Sequence, residues 1–510
     1  MTKDETKRLD RGFLGHPKPL QGLFLTELWE RFSYYGIRPL LILYMSAMVT
    51  QGGLGLERTD AAAIVGLFAG CIYLFTLVGG WLSDHWLGQE RAVWYGSVII
   101  ALGHLSIALT AWFSTVFFYL GLVLLVIGSG LFKTCISVIV GTLYQAQDQR
   151  RDAGFSIFYM GINLGAFLAP LVTGLLLQRY GWHVGFGIGG IGMLISLLIF
   201  RCLAMPQVRQ LNQNMPVQSS VLRDPAKIRK IKQGLSLVAV LLIAGFFSLY
   251  RGWIVIQPVA IVEYFALSIL AIVTVYFAYL FLFHRLNRIE KTKLLICFIL
   301  FLAATLFWAV FEQQPTSLNL FALDYTERHI GGFEIPVVWF QSINAIFIII
   351  FAPLAAWLWI TLARRQQEPG YLAKFSLALV FAAFGFLVMI LAAQQVLHHG
   401  GLVSPFWLIG CLLFMTWGEL CLSPVGLSAM TRLAPKGLSG QMMGIWFTAT
   451  AMGNLVAGWI GGHVSGQQLH QLPPLFSKCV VILLIGAAVI ALLRKPIQRL
   501  MQHQHEYQQG

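Results

Sequence analysis

Seven ionisable side chains stand inside otherwise apolar stretches of this chain: Glu27, Glu30, Arg31, Arg38, Lys133, Glu312 and Glu419. Where such a stretch crosses a bilayer, each ionised group at the helix centre costs about 2.5 to 3.5 kcal/mol, so its presence calls for a function and a partner. The chemistry open to this set is ion pairing, proton uptake and recognition of charged groups on a solute. Four acids face three bases, Glu263 being left aside. If all line one cavity, full ionisation leaves one surplus negative charge, which a single proton neutralises.

Helical spacing refines this. Glu27 and Arg31 are an i, i+4 pair, and Arg38 follows Arg31 by two turns, so Glu27, Arg31, Tyr34 and Arg38 share one face of a helix. The bland alternative for Glu27, Glu30 and Arg31 is a self-neutralised structural cluster. That alternative fits Lys133, Glu312 and Glu419 poorly, because none has a charged residue within four positions. They must find partners on other helices or in water.

The elements that position these groups are apolar. Of 510 residues 57% are hydrophobic and only 11% charged, against about 25% charged in a soluble domain, so a bilayer is the expected solvent. A helix needs about 20 apolar residues to cross it. Fourteen such runs fall near residues 20–46, 62–83, 92–113, 116–143, 154–178, 183–203, 234–250, 255–283, 294–322, 336–362, 373–394, 404–431, 439–462 and 475–493. With the N-terminus placed in the cytoplasm, the even-numbered connections, the span ends beside them (Arg201 among them) and both tails hold 27 of the 35 Lys and Arg, and the opposite side holds five. The positive-inside rule therefore predicts cytoplasmic termini. The first nineteen residues are polar and no cleavage site follows the first apolar run, so no cleaved signal peptide is expected.

The longest connection, a basic linker over residues 204–233, separates a six-helix bundle at 20–203 from the rest. If the pair at 234–283 is an inserted hairpin, a second six-helix bundle remains at 284–493, between tails at 1–19 and 494–510. The expected fold is thus all-α and integral to the membrane, with two six-helix bundles and a two-helix hairpin, the plan of major facilitator transporters. Between the second and third spans, Gly80, Asp84, Gly88 and Arg91 resemble the loop pattern of that superfamily. Its glycines permit a tight turn, and Asp84 is placed to pair with Arg91.

Several other classes are disfavoured. The net charge of +14 follows from membrane orientation, so it does not mark a nucleic-acid surface. Gly128 to Thr134 has some likeness to a phosphate loop, but Phe132 stands where a glycine is needed and the stretch lies in an apolar helix, which argues against ATP-driven transport. Neither HExxH nor GxSxG occurs, so a membrane-embedded hydrolase lacks its machinery. His503 and His505 read as a solvated tail, and the seven scattered cysteines as core residues without a metal or disulfide framework.

Four further segments are more specific. Glu27 to Gly36 reads ELWERFSYYG and resembles the ExxERFxYYG signature of the proton-dependent oligopeptide transporter (POT) family. Phe158 to Gly165 resembles its FYxxINxG motif, Phe307 to Gln314 its FWxxFEQ motif, and Gly418-Glu419-Leu420 its GEL segment. The bacterial branch of that family also carries an extra central helix pair.

The resemblance implies a proton-coupled symporter that imports dipeptides and tripeptides by alternating access and is not an enzyme. Glu27, Glu30 and Arg31 would form the proton-coupling cluster, with Glu312 a further protonation site. Arg38, Lys133 and Tyr35 would hold the peptide carboxylate, and Glu419, Asn163 and Asn344 the amino group. Tyr73, Tyr159, Trp308, Trp446 and Ser423 would form pocket walls. Arg38 with Glu312, and Lys133 with Glu419, are the expected pairs between the two bundles. Implied partners are protons, peptides with peptide-like drugs as an extension of the class, and the lipid bilayer; neither nucleic acid nor ATP is implied. No cofactor is expected beyond the proton as coupling ion. The implied location is the cell membrane, the inner membrane in a bacterium. A proton-coupled carrier of an amino acid, nitrate or drug shares the fold and is the competing reading. Two departures bear on gating or substrate range: Thr134 and Ala345 each stand where the family's FKPN and FQxxNP motifs have a proline, whose loss alters helix bending.

Overall fold

The computed structural model describes residues 10–145, 148–212, 225–253, 257–284, 286–435, 438–461 and 469–506. The remainder of the N-terminal tail (1–9), the middle of the basic linker (213–224) and the last four residues lie outside the described residues.

Fourteen long helices are found among the described residues. They are α1 (Pro19–Ser46), α2 (Arg58–Leu82), α3 (Gln89–Leu109), α4 (Val116–Thr142), α5 (Arg151–Tyr180), α6 (Trp182–Ile199), α7 (Pro225–Tyr250), α8 (Pro258–Phe283), α9 (Arg288–Phe311), α10 (Gln341–Arg364), α11 (Tyr371–His399), α12 (Phe406–Leu433), α13 (Ser439–Gly461) and α14 (Leu472–Glu506). Twelve are long and apolar enough to cross a membrane. The two outside that set are α1, which carries Glu27, Glu30, Arg31 and Arg38, and α13, which is rich in glycine and small polar residues. Helical structure also enters the linker, through Met205–Asn212 and the first turns of α7, and continues past the last apolar run along α14.

The chain divides into two compact units. Unit 1 comprises residues 1–44, 48–54 and 71–257, and unit 2 residues 45–47, 55–70 and 258–510. Helix α2 is therefore shared: its first turns belong to the second unit and its later turns to the first. Within unit 2 the start of α2 is fastened by Arg58, which ion-pairs Asp324 through two guanidinium nitrogens.

Local chemistry sets the helix ends. After α2 the chain makes a wide helical turn over Ser83–Leu87 and stops at Gly88, whose φ of 75° is left-handed and suits glycine alone among common residues. Asp84 accepts a hydrogen bond from Gln89 Nε2 at 2.8 Å. The expected Asp84–Arg91 pair does not form among the described residues, because the nearer amide takes the carboxylate. At the start of α9 Asn287 and Glu290 form a reciprocal capping box, with Glu290 N donating to Asn287 Oδ1 at 2.8 Å and Asn287 N donating to Glu290 Oε2 at 3.0 Å. The only sheet among the described residues is a two-residue hairpin, β1 (His329–Ile330) with β2 (Phe333–Glu334), pairing His329 with Glu334 and Ile330 with Phe333.

Candidate functional site

In unit 1 the chemistry gathers on α1. Arg31 Nε donates to Glu27 Oε1 at 2.6 Å and lies 3.1 Å from Glu30 Oε2. Glu27 and Glu30 are each 1% exposed and Arg31 is 6% exposed, so one guanidinium is shared by two carboxylates out of reach of water. The pair separated by one helical turn is the one that makes the short hydrogen bond, as the i, i+4 spacing predicts. Glu27 Oε2 is buried and has no hydrogen-bond partner among the described residues. A buried carboxylate oxygen without a hydrogen-bond partner is costly to keep from water.

Gly165 brings α5 onto this cluster. A Cβ built there would stand 2.4 Å from Leu28 O and 2.9 Å from Arg31 Cβ, so any side chain would push the two helices apart at Arg31.

Lys133, on α4, sits between two aromatic faces: its Nζ is 4.6 Å from the ring centre of Tyr34 and 4.7 Å from that of Tyr73. Lys133 makes no ion pair within 4.0 Å among the described residues. Cation–π contacts stabilise an ammonium while leaving its N–H donors available. Arg38 lies 5.9 Å from the Tyr34 ring, so this one phenol borders both cations. Tyr35 packs edge-on to Tyr34 at 5.1 Å. Asn163 is buried, and its amide donates to Tyr159 O at 3.0 Å within α5, while Tyr159 itself is 45% exposed. Helix α4 runs unbroken through Thr134, where the resemblance led one to look for a proline.

Unit 2 carries a second set. Asn344 Nδ2, on α10, donates to Thr416 Oγ1 at 3.0 Å and to Glu419 Oε2 at 3.3 Å on α12. Thr416 in turn donates to Leu412 O at 2.7 Å, so its lone pair is aimed at the asparagine. Thr416 was not singled out from the sequence; the signal was its position three residues before Glu419, on the same helix face. Glu419 makes no ion pair within 4.0 Å among the described residues, and its partner here is neutral.

Glu312 stands where α9 ends and a wide turn over Gln314–Leu318 begins; it is the helix cap and not a mid-helix residue. Its N–H donates to Trp308 O at 2.9 Å, and Gln341 Nε2 braces the break by donating to Gln314 O at 2.7 Å. Trp308 packs against Phe307 and Phe311, and its buried Nε1 has no hydrogen-bond partner among the described residues. Ser423 Oγ shares that condition. Trp446 is 6% exposed, with its ring against Gly426, where a Cβ would be 2.1 Å from Cη2. Gly80 lies in the last turn of α2, where a Cβ would stand 3.7 Å from Thr134 Oγ1, while Asp84, Gly88 and Arg91 follow at the turn into α3 and its first residues.

Unit 1 presents cations with aromatic and carboxylate neighbours, and unit 2 presents the carboxylates of Glu312 and Glu419. Among the described residues no group of three or more His, Cys, Asp and Glu is arranged to hold a metal.

Comparison with known proteins follows the same line. A model of the POT family matches residues 90–471. A peptide transporter of Yersinia enterocolitica, YePEPT, is 55% identical over 494 residues, covering 97% of each chain. A di-/tripeptide transporter of Lactococcus lactis is 35% identical over 519 residues, covering 97% of this chain and 98% of its own. A crystal structure of a peptide transporter POT in complex with sulfate superposes with a TM-score of 0.87 at 36% identity, covering 98% and 99% of the two chains.

Proposed function

The chain belongs to the POT family, and from that premise we propose that it is a proton-coupled symporter that imports dipeptides and tripeptides by alternating access. It is a multi-pass membrane protein and not an enzyme. By the distribution of Lys and Arg along the sequence the basic connections and both tails are cytoplasmic, and the membrane is the cell membrane.

One observation carries the reading. Lys133 and Glu419 are charges of opposite sign with no ion pair within 4.0 Å among the described residues: aromatic faces flank the lysine, which feels Glu30 and Glu27 only at longer range, and an amide meets the carboxylate. A peptide is a zwitterion, and its two ends supply the missing counter-charges. Lys133, with Arg38 and Tyr35, takes the peptide carboxylate; Glu419, oriented by Asn344, takes the amino group, with Asn163 contributing a further polar contact. The aromatic groups Tyr73, Tyr159, Trp308 and Trp446, with Ser423, supply tolerant walls, as variable side chains require.

The coupling step uses this chain's own carboxylates. A proton on Glu27 or Glu30 cancels one of the two negative charges that hold Arg31 and loosens that guanidinium, and Glu312 at the helix break takes a proton in its own unit. Each protonation changes the balance between conformations, which is what coupling requires. The proton is the only coupling species invoked, and ATP has no part.

Uptake of labelled dialanine into liposomes holding the purified protein, under an inward proton gradient, tests the reading. Concentrative uptake that an uncoupler and Glu312→Gln both abolish supports it. No uptake across a panel of dipeptides and tripeptides, from folded protein, refutes peptide transport and favours another solute.

A further inference from the structure

A cleft in unit 1, lined by none of the residues of the α1 cluster or by Lys133, lies where α3 begins and just past the end of α6. It has a volume of about 160 Å³ and is lined by Glu90, Arg91, Trp94, Tyr95, Arg201 and Arg209, with Phe200 and Met205 at its floor. Three guanidiniums face one carboxylate. Glu90 is already engaged, because Arg209 donates to both of its oxygens. Arg201 lies 5.7 Å from the Trp94 ring, and neither it nor Arg91 forms an ion pair among the described residues. Two planar, permanently charged forks are therefore left for an external anion, and the fork geometry matches phosphate oxygens.

Two exposed side-chain stripes lead away from this cleft along the apolar helices. On α3, Arg91 and Tyr95 are followed at helical spacing by Leu102 and Leu105, which are 48% and 53% exposed. Before Arg201, which stands in the wide turn Phe200–Ala204, α6 carries Leu198, Leu194 and Ile191, all more than half exposed. The two helices pack against each other in the same unit. A basic cleft beside exposed Tyr95 and half-buried Trp94, opening onto two apolar stripes, has the layout of a membrane interface, with aromatic side chains at headgroup depth and hydrocarbon beyond.

We propose that this cleft holds the phosphate headgroup of an anionic phospholipid, with its acyl chains lying along the Leu102–Leu105 and Ile191–Leu198 stripes. The occupant is anionic and not zwitterionic, because the one carboxylate that could receive an ammonium is occupied by Arg209. Basic pockets of this kind between membrane helices bind lipid headgroups, each Lys or Arg near the surface adding about 1 kcal/mol. The fourth residue of the loop pattern, Arg91, thereby finds a role that does not involve Asp84.

The test is lipid retention, measured by native mass spectrometry of the full chain in detergent with equimolar dioleoyl phosphatidylglycerol, phosphatidylcholine and phosphatidylethanolamine. Phosphatidylglycerol is expected to be retained preferentially. Arg91→Gln with Arg201→Gln should weaken its retention about five-fold for each charge removed, while Arg364→Gln with Arg365→Gln, at the end of α10, should leave it unchanged. Glu90→Gln frees Arg209 and should strengthen retention. Equal retention of the three lipids, a loss equally large in the α10 variant, or weakening by Glu90→Gln with phosphatidylethanolamine preferred would each overturn the proposal. Displacement of the lipid by inorganic phosphate at the same concentration would overturn it too, by marking a site for the free anion. Should the double arginine variant not fold, the rise in unfolding temperature of the unmodified chain with phosphatidylglycerol against phosphatidylcholine, and its increase in Glu90→Gln, decides the matter.

Discussion

Arg31 reaches back one helical turn to Glu27 through a 2.6 Å hydrogen bond, and the same nitrogen is 3.1 Å from Glu30, so a single buried cation neutralises two carboxylates incompletely. Glu27→Gln removes one of those charges and leaves Arg31 paired with Glu30. The variant should fold and still exchange labelled for unlabelled dipeptide across a liposome membrane without a gradient, while proton-driven accumulation falls at least ten-fold. Arg31→Ala is different in kind: it strands two buried carboxylates, and breaking a buried pair from one side costs roughly 3–5 kcal/mol. A clear fall in unfolding temperature in detergent is the expected readout.

Lys133 should read the peptide carboxylate. In Lys133→Met, uptake of a dipeptide should fall at least ten-fold, and a dipeptide amide, which lacks that carboxylate, should compete about as well as the free acid. In the unmodified protein the free acid should compete far better. Competition assays on both proteins separate loss of recognition from loss of fold.

Thr416 positions Glu419 through Asn344. Thr416→Val removes the acceptor for Asn344 at 3.0 Å and, at about 1 kcal/mol for a neutral hydrogen bond, should raise the Kd for a dipeptide about five-fold. Thr416→Ser keeps the hydroxyl and should restore it. Glu419→Gln should lose more, and should narrow the preference for free over N-acetylated dipeptides, which a purely packing role for Glu419 would leave unchanged.

Much of this arrangement was legible in the chain itself, for reasons that differ by residue. The fourteen apolar runs and the Glu27–Arg31 pair are written in local spacing, which a helix converts directly into contacts. The partner of Glu419 is not, since Asn344 is 75 residues away and meets it only when α10 packs on α12. Arg58 and Asp324, separated by 266 residues, are hidden in the same way. Glu312 caps its helix where Pro315 enters the following turn, a breaker that the apolar run 294–322 does not register. Asp84 and Arg91 have opposite charges and a suitable separation, yet the amide of Gln89 is closer. Charge complementarity alone does not choose between neighbours.

Arg58 and Asp324 hold the start of α2 within unit 2, and a double-mutant cycle should expose their coupling. Arg58→Ala and Asp324→Ala should each lower the unfolding temperature, and the double variant should be no worse than the poorer single one. A coupling of roughly 0.5–3 kcal/mol fits a contact pair; strict additivity would show that the pair contributes nothing.

Acid should loosen the connection between α4 and α5. There Arg150, donating through its side chain and backbone, holds the Asp148 carboxyl below its ordinary pKa of 3.8. A depressed carboxylate pKa contributes stability that is present above the unfolded value and is lost as pH falls through the folded one. Amide hydrogen exchange near residues 148–151 should therefore quicken only below about pH 4, and Asp148→Asn should show the quick exchange already at neutral pH.

The most direct measurement is dialanine uptake by liposomes containing the purified chain, recorded with an imposed inward proton gradient, with an uncoupler, and for Glu312→Gln. Proton-coupled peptide symport predicts accumulation above the external concentration that disappears in both of the latter conditions. Accumulation that persists with the uncoupler, or absence of uptake for every dipeptide and tripeptide supplied to folded protein, would contradict it.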